Sequence, residues 1–293
     1  MVKIMQNRPF FILFTLLSLV SLTLLLSCDK IEPPYFKDSN LVQTDVDFPD
    51  ILKDTVTRKI LIEEYSAQQC QNCPTQGAGP LAQLLEKYPK KIEVVCMHAG
   101  ALARPNPVPP FDYDFRTDFG TNLYQQYVLA EGGGIPCAVV NRTRYQGMYP
   151  LGNVDWEAAV LSIDTQVYAS IQLIAKFENN LLVAHTKTSF YQSIANPVVL
   201  SLLLIEDNII SPQMDGATII ENYVHNHVLR ASLNGDGTYL NSSGIIEKDS
   251  SYLQSHQVSF AEHDWNINNC SLVAFIFDES TGEVFQVNRI KAK

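Results

Sequence analysis

Two cysteines stand two residues apart in Cys70-Gln71-Asn72-Cys73, and they are the residues of this chain best suited to do chemistry. They follow the apolar run Lys59-Ile60-Leu61-Ile62 and precede Pro74 and a helical pattern. Sulfurs at this spacing can close a small disulfide ring and reopen it. A helix starting there supplies unpaired N–H groups and a partial positive charge, which favour a thiolate on the first sulfur. Cys70 would then attack a partner disulfide, and Cys73 would resolve the mixed disulfide. Two plainer readings stand beside this one. The pair is a fixed structural disulfide, or it is half of a zinc site, for which the chain has no second Cys-x-x-Cys.

The elements that must position these sulfurs alternate strand and helix from Arg58 to about Ile163. Lys59 to Ser66 is an apolar run fit for a central strand. Thr75 to Tyr88 carries Ala78, Leu81, Leu84, Leu85 and Tyr88 at helical spacing. Gly77, Gly79 and Pro80 predict an irregular start to that helix. Ile92 to Met97 is a second strand, so the first two pair in parallel through a right-handed crossover. Thr117 to Leu129 is a second amphipathic helix. Gly132-Gly133-Gly134-Ile135-Pro136 then leads into the strand Cys137 to Asn141. A short strand around Tyr145 to Tyr149 follows. A helix from Asp155 to Thr165, capped by Asn153 or Asp155, completes the unit.

This order resembles the thioredoxin fold, with Cys70-Gln71-Asn72-Cys73 after a central strand and Ile135-Pro136 before a later one. The resemblance implies a cis Ile135–Pro136 bond facing the cysteines, where a substrate strand can pair beside Cys70. It also implies a buried carboxylate six residues before the first cysteine, a place held by Glu64. A buried Glu64 with a raised pKa could accept the proton of Cys73. The plainer reading of Glu64 is a half-exposed carboxylate at a strand end. The chain departs from thioredoxins in lacking a tryptophan before Cys70 and in having Gln71-Asn72 between the cysteines. The region of resemblance is 58–165, with 99–131 as an insertion.

From Val167 onward the pattern is strand after strand. Val167 to Phe177 and Leu181 to Phe190 flank Asn179-Asn180, a good hairpin turn. Val198 to Glu206, Tyr223 to Ser232, Tyr252 to Phe260, Ser271 to Asp278 and Val284 to Ile290 follow. The expected architecture is an α/β thioredoxin-like domain (58–165) followed by an all-β immunoglobulin/fibronectin-like sandwich (166–293). His225 and His227 would share one face of a strand. Spacing supplies no third metal ligand, so packing or surface roles outrank metal. Asn234-Gly235-Asp236-Gly237 reads as a turn. No cofactor and no metal are called for by these motifs.

The first 27 residues read as a signal peptide, with Lys3 and Arg8 before an apolar run that ends at Leu25-Leu26-Ser27-Cys28. This ending resembles the bacterial lipobox, with Cys28 as the lipidated first residue of the mature chain. Residues 28–57 form a polar tether, and the lipid anchors the chain to a membrane without spanning it. Removal of 27 from 293 residues leaves 266, with 19 lysines and arginines against 31 acids and a net charge of −12. Such an acidic surface argues against nucleic acid as a partner. Outside the cytoplasm disulfides persist. Five cysteines remain after Cys28, so at least one is unpaired within the monomer. Cys96 and Cys270 lie in apolar strands and read as packed thiols. Cys137 reads as core, or as a third redox sulfur one residue beyond the prolyl edge.

Three segments together resemble the Omp28-related outer-membrane lipoproteins. They are Glu64 to Pro74, Gly134-Ile135-Pro136 with Asn141-Arg142, and Tyr223-Val224-His225-Asn226-His227-Val228-Leu229-Arg230. The resemblance runs over nearly the whole mature chain. It implies an outer-membrane lipoprotein with a thioredoxin-like part before a β-sandwich, and it carries no defined activity. Two functions are therefore expected. The first is thiol–disulfide exchange on extracytoplasmic protein thiols or disulfides. The second is a non-catalytic surface lipoprotein or binding module with a structural Cys70–Cys73 disulfide.

Overall fold

Ile60–Ser66 (β1) is buried at every residue, which a strand achieves only when both faces are covered. The computed structural model describes residues 46–241 and 244–293, and shows what covers it. The expected signal segment 1–27, Cys28 and the tether as far as residue 45 lie outside the described residues. Ile92–His98 (β2) pairs with β1 in parallel and Cys137–Val140 (β3) pairs with it antiparallel. A five-residue π-helical turn, Pro74–Ala78, and the helix Gly79–Lys87 (α1) make the crossover between β1 and β2. The irregular start follows from Pro74, Gly77, Gly79 and Pro80, which weaken the ordinary i→i−4 ladder. Asp118–Tyr127 (α2) starts cleanly, because Thr117 Oγ1 accepts from the Gly120 N–H at 3.0 Å. Asn153–Ser162 (α3) follows Gly152, so Asn153 opens the helix and does not cap it. The strand expected near Tyr149 shrinks to one bridge between Tyr145 and Met148.

Ten strands follow α3. They are Ala169–Glu178 (β4), Leu181–Phe190 (β5), Val198–Glu206 (β6), Ile209–Asp215 (β7), Thr218–His225 (β8), Val228–Ser232 (β9), Thr238–Tyr239 (β10), Ser251–Ser259 (β11), Cys270–Asp278 (β12) and Val284–Lys291 (β13). The turn between β4 and β5 is Asn179-Asn180, both with φ near the left-handed region at 51° and 60°.

The expectation of an α/β thioredoxin-like domain followed by a separate sandwich is corrected here. The described structure is mostly β, with three short α-helices, and its main sheet crosses the expected boundary. That sheet runs β13-β12-β6-β9-β2-β1-β3, with β10 on β6. β2 does not end it. The backbone of Cys96 meets Val228 of β9 in parallel, and the Cys96 N–H donates to the His227 carbonyl at 2.7 Å. The physical reason is the edge of β2. Val94, Val95, Cys96 and Met97 are all buried, and an apolar strand of this kind needs a partner on its open side. A second sheet, β11-β5-β4, covers one face of the main sheet and encloses Leu200, Leu202, Leu204, Leu272 and Ala274. α2 covers the other face, where Leu123 and Tyr127 pack with Met97, Leu203 and Phe275. α1 and α3 enclose Ile60, Ile62, Val94 and Trp156. Among the described residues no helix is long and apolar enough to cross a membrane.

β7 and β8 form a two-stranded sheet of their own. This hairpin is an excursion between β6 and β9, which are neighbours in the main sheet. Its neck turns at Asn208 and His227, with φ of 59° and 58°. Asp207 ties the neck together, accepting from the His227 N–H at 2.8 Å and pairing with the His227 ring at 3.0 Å and with Arg289. Asn226 Oδ1 accepts from the Asn208 N–H at 3.0 Å.

Candidate functional site

Cys70 and Cys73 are joined in a disulfide, with Cα atoms 5.4 Å apart. β1 delivers the chain to Ser66, the loop Ala67–Gln69 turns it, and the π-helical turn begins at Pro74 beside Cys73. The Cys73 N–H donates to the Cys70 carbonyl at 3.3 Å, which closes the loop on itself. The Ile135–Pro136 bond is cis, and Ile135 packs against the two cysteines together with Ala67 and Ala103. The same loop is held from the 101–104 turn, where Gln69 donates from its N–H to the Leu102 carbonyl and from Nε2 to the Arg104 carbonyl.

Glu64 is buried at the end of β1, against Gly77. A Cβ on Gly77 would stand 2.7 Å from Glu64 Oε1 and 3.3 Å from the Pro136 ring, so only glycine lets the helical turn approach both. Burial pushes the Glu64 carboxyl up to about 7, against the opposing effect of a hydrogen bond from the Cys96 thiol. The half-exposed reading of Glu64 is therefore set aside. The structure thus brings Glu64, Pro136, Cys70 and Cys73 into one neighbourhood. Cys137 sits on β3 in the core with Tyr65 and Val139, its thiol pushed up to about 12 by burial. Cys96 and Cys270 are buried free thiols.

The hairpin β7–β8 is the part of the site that the sequence reading missed. β7 lies along the cysteine loop and hydrogen-bonds to it. The Met214 N–H donates to the Gln68 carbonyl at 2.8 Å, and the Gly216 N–H donates to the Gln71 carbonyl at 2.9 Å. Gln68 Nε2 donates to Ser211 Oγ at 2.8 Å. Gln213 Nε2 reaches inward to the carbonyls of Ala67 at 3.2 Å and Cys70 at 3.0 Å. The cysteines are left 3% and 2% exposed. Asp215-Gly216, between Ile209-Ile210 and Ile219-Ile220, was the available hairpin signal.

His225 and His227 do not share a strand face. The chain breaks between them at Asn226, and His227 leaves with positive φ. His225 ends β8 among rings, 5.4 Å from His98, 5.4 Å from Phe115 and 4.8 Å from Tyr223 between centroids. Burial holds its pKa down near 4, and that of His98 well below the usual histidine range. A second buried polar centre lies behind β1. Arg142 Nη2 donates to Glu63 Oε1 at 2.6 Å and Nε to Oε2 at 3.0 Å, with the guanidinium over the rings of Phe275 and Phe277.

These features define a mostly β protein carrying a covered Cys-x-x-Cys loop. The model of the outer membrane protein Omp28 family matches residues 121–293, more than half of the chain, and the chain belongs to that family. It is an outer membrane protein of the Omp28 type. Its fold is similar to that of HBP35 of Porphyromonas gingivalis, with a TM-score of 0.61 and 15% identity over 81% of this chain and 76% of that one. A domain of the outer membrane lipoprotein Omp28 from Porphyromonas gingivalis also matches, at 21% identity and a TM-score of 0.30, over 43% of this chain and 88% of that one. No curated protein matches the chain.

Proposed function

We propose that this lipoprotein acts at the outer membrane as a non-catalytic binding module, in which Cys70–Cys73 is a structural disulfide. The observation that supports this most is the seat of β7. Backbone donors from Met214 and Gly216 and the side chain of Gln213 hold the cysteine loop against the hairpin, and the two cysteines are left almost without exposure. A thiolate that attacks another protein needs access as well as a low pKa. Here the sulfurs are under a hairpin that is itself tied at the neck. The test is trapping. A Cys73→Ala variant, expressed in the envelope and run without reductant, is expected to give no mixed disulfides. Discrete partners linked through Cys70 would overturn the reading.

One observation favours a second reading, thiol–disulfide exchange on extracytoplasmic proteins. Glu64, poised near neutral pH, lines the same cavity as Cys73 and would serve as proton acceptor, with Cys70 as the attacking sulfur and Pro136 beside it. This reading requires β7 to leave its seat during each cycle.

A further inference from the structure

A cavity of about 310 Å³ opens beside Cys73, between α1 and the hairpin strand β8. Its walls are aliphatic on the helix side, with Leu81, Ala82 and Leu85, and carry Tyr223 and Val224 on the hairpin side. Glu64 and Cys96 also line it. Glu64 Oε1 is buried and has no hydrogen-bond partner, the Cys96 thiol being the carboxyl's side-chain donor, and among the described residues no lysine or arginine forms an ion pair with it. An unpaired carboxylate in such surroundings is costly, and a cation brought to it offsets the cost. The lining contains no lysine or arginine, burial keeps the rings of His98 and His225 neutral at physiological pH, and the third histidine, His227, is already engaged by Asp207. An anion would therefore find no unengaged counter-charge, and a purely apolar ligand would leave Glu64 Oε1 unsatisfied.

We propose that this cavity binds a primary alkylammonium group, with Glu64 as its counter-ion and the aliphatic wall of α1 along its stem. The Tyr223 ring on the hairpin side adds a face suited to a cation. The four-carbon stem and ammonium of a lysine side chain have this chemistry, as do the linear diamines. The inference adds a ligand class to the binding-module reading, and the two fail separately, because disulfide trapping does not depend on the cavity being filled.

Binding carries a proton signature. The ammonium pairs with the ionised carboxyl, so below about pH 7 each binding event releases the proton that Glu64 holds. The groups facing Glu64 from the packed elements are Cys96 of β2, Cys137 of β3 and Tyr223 of β8. All three keep their protons in this range, since burial pushes Cys96 far up and Cys137 and Tyr223 to about 12.

The experiment is isothermal titration of the lipid-free mature protein with 1,5-diaminopentane and, separately, with acetyl-Gly-Lys-Gly-amide. Saturable binding at pH 8 that weakens about tenfold at pH 6 is expected, from one linked proton. Glu64→Gln should abolish it. Ala82→Trp, at an exposed position on the wall, should block it with an unchanged circular dichroism spectrum. Diamine binding alone assigns the site to free amines, and peptide binding assigns it to lysine side chains. No binding of either probe to the unmodified chain, or binding undiminished in both variants, would overturn the proposal.

Discussion

The side-chain amide of Gln213 donates to the carbonyl oxygen of Cys70 at 3.0 Å, from a strand 143 residues further along the chain. The same nitrogen reaches the carbonyl of Ala67. One side chain thus joins the hairpin to both ends of the turn that carries the first sulfur.

Gln213→Ala removes two side-chain hydrogen bonds to carbonyls that each keep a backbone donor, a loss of about 1–3 kcal/mol for the two together. The disulfide should then be reduced roughly tenfold faster or more, since about 1.4 kcal/mol corresponds to a factor of ten. Maleimide labelling during a timed exposure to dithiothreitol measures it. An unchanged rate would show that the hairpin does not shield the sulfurs.

Glu64 makes stability depend on pH in an unusual direction. Its carboxyl rises from 4.5 in the unfolded chain to about 7 in the folded one, so the folded state holds the extra proton between these values. Below about pH 4.5 the group is neutral in both states and costs nothing. The burial cost grows as pH rises and is complete above 7, at about 3 kcal/mol. Glu64→Gln should therefore be more stable than the parent at pH 8 and equal to it at pH 4 in urea titrations. Equal stability at both values would mean that the carboxyl is not held as described.

Asp207 behaves in the opposite sense. Burial would raise its pKa, but His227 and Arg289 outweigh that and hold it well below the usual carboxylate range. Its contribution is present above the unfolded value near 3.8 and is lost as pH falls through the depressed folded value. Asp207→Asn should loosen the neck first. The expected result is faster amide exchange across 209–225, with the main sheet unaffected.

Arg142→Met would strand Glu63 in the core without its partner, at a cost of about 3–5 kcal/mol. Adding Glu63→Gln should recover much of that loss. A urea-based double-mutant cycle gives the coupling, and additive effects would contradict a closed pair.

Several local features were legible from residue types. The cysteine loop at the end of β1, the crossover through α1, the irregular helix start and the Asn179-Asn180 turn all follow from short-range rules. A buried Glu64 and a cis Ile135–Pro136 bond near the cysteines were reached through the thioredoxin resemblance, although the wider α/β architecture did not follow from it. What stayed hidden depended on distance along the chain. Tyr223 to Ser232 reads as one strand, because nothing in its types marks His227 as a residue that adopts positive φ. Once that break is overlooked, β8 cannot be assigned to a hairpin over the cysteines, nor β9 to the edge of β2. The pairing of Cys96 with Val228 joins segments whose local patterns carry no mark of each other. Alternation predicts which residues point inward, and it is silent on which strands become neighbours.

That neighbouring of β2 and β9 governs how the chain can be delivered. The chain is made from its N-terminal end, so β1 and β2 emerge early and residues 228–232 late. Until the late strand arrives, the Val94–Met97 segment offers a bare apolar border of the kind that recruits other polypeptides. A truncated or stalled export product would expose that border permanently.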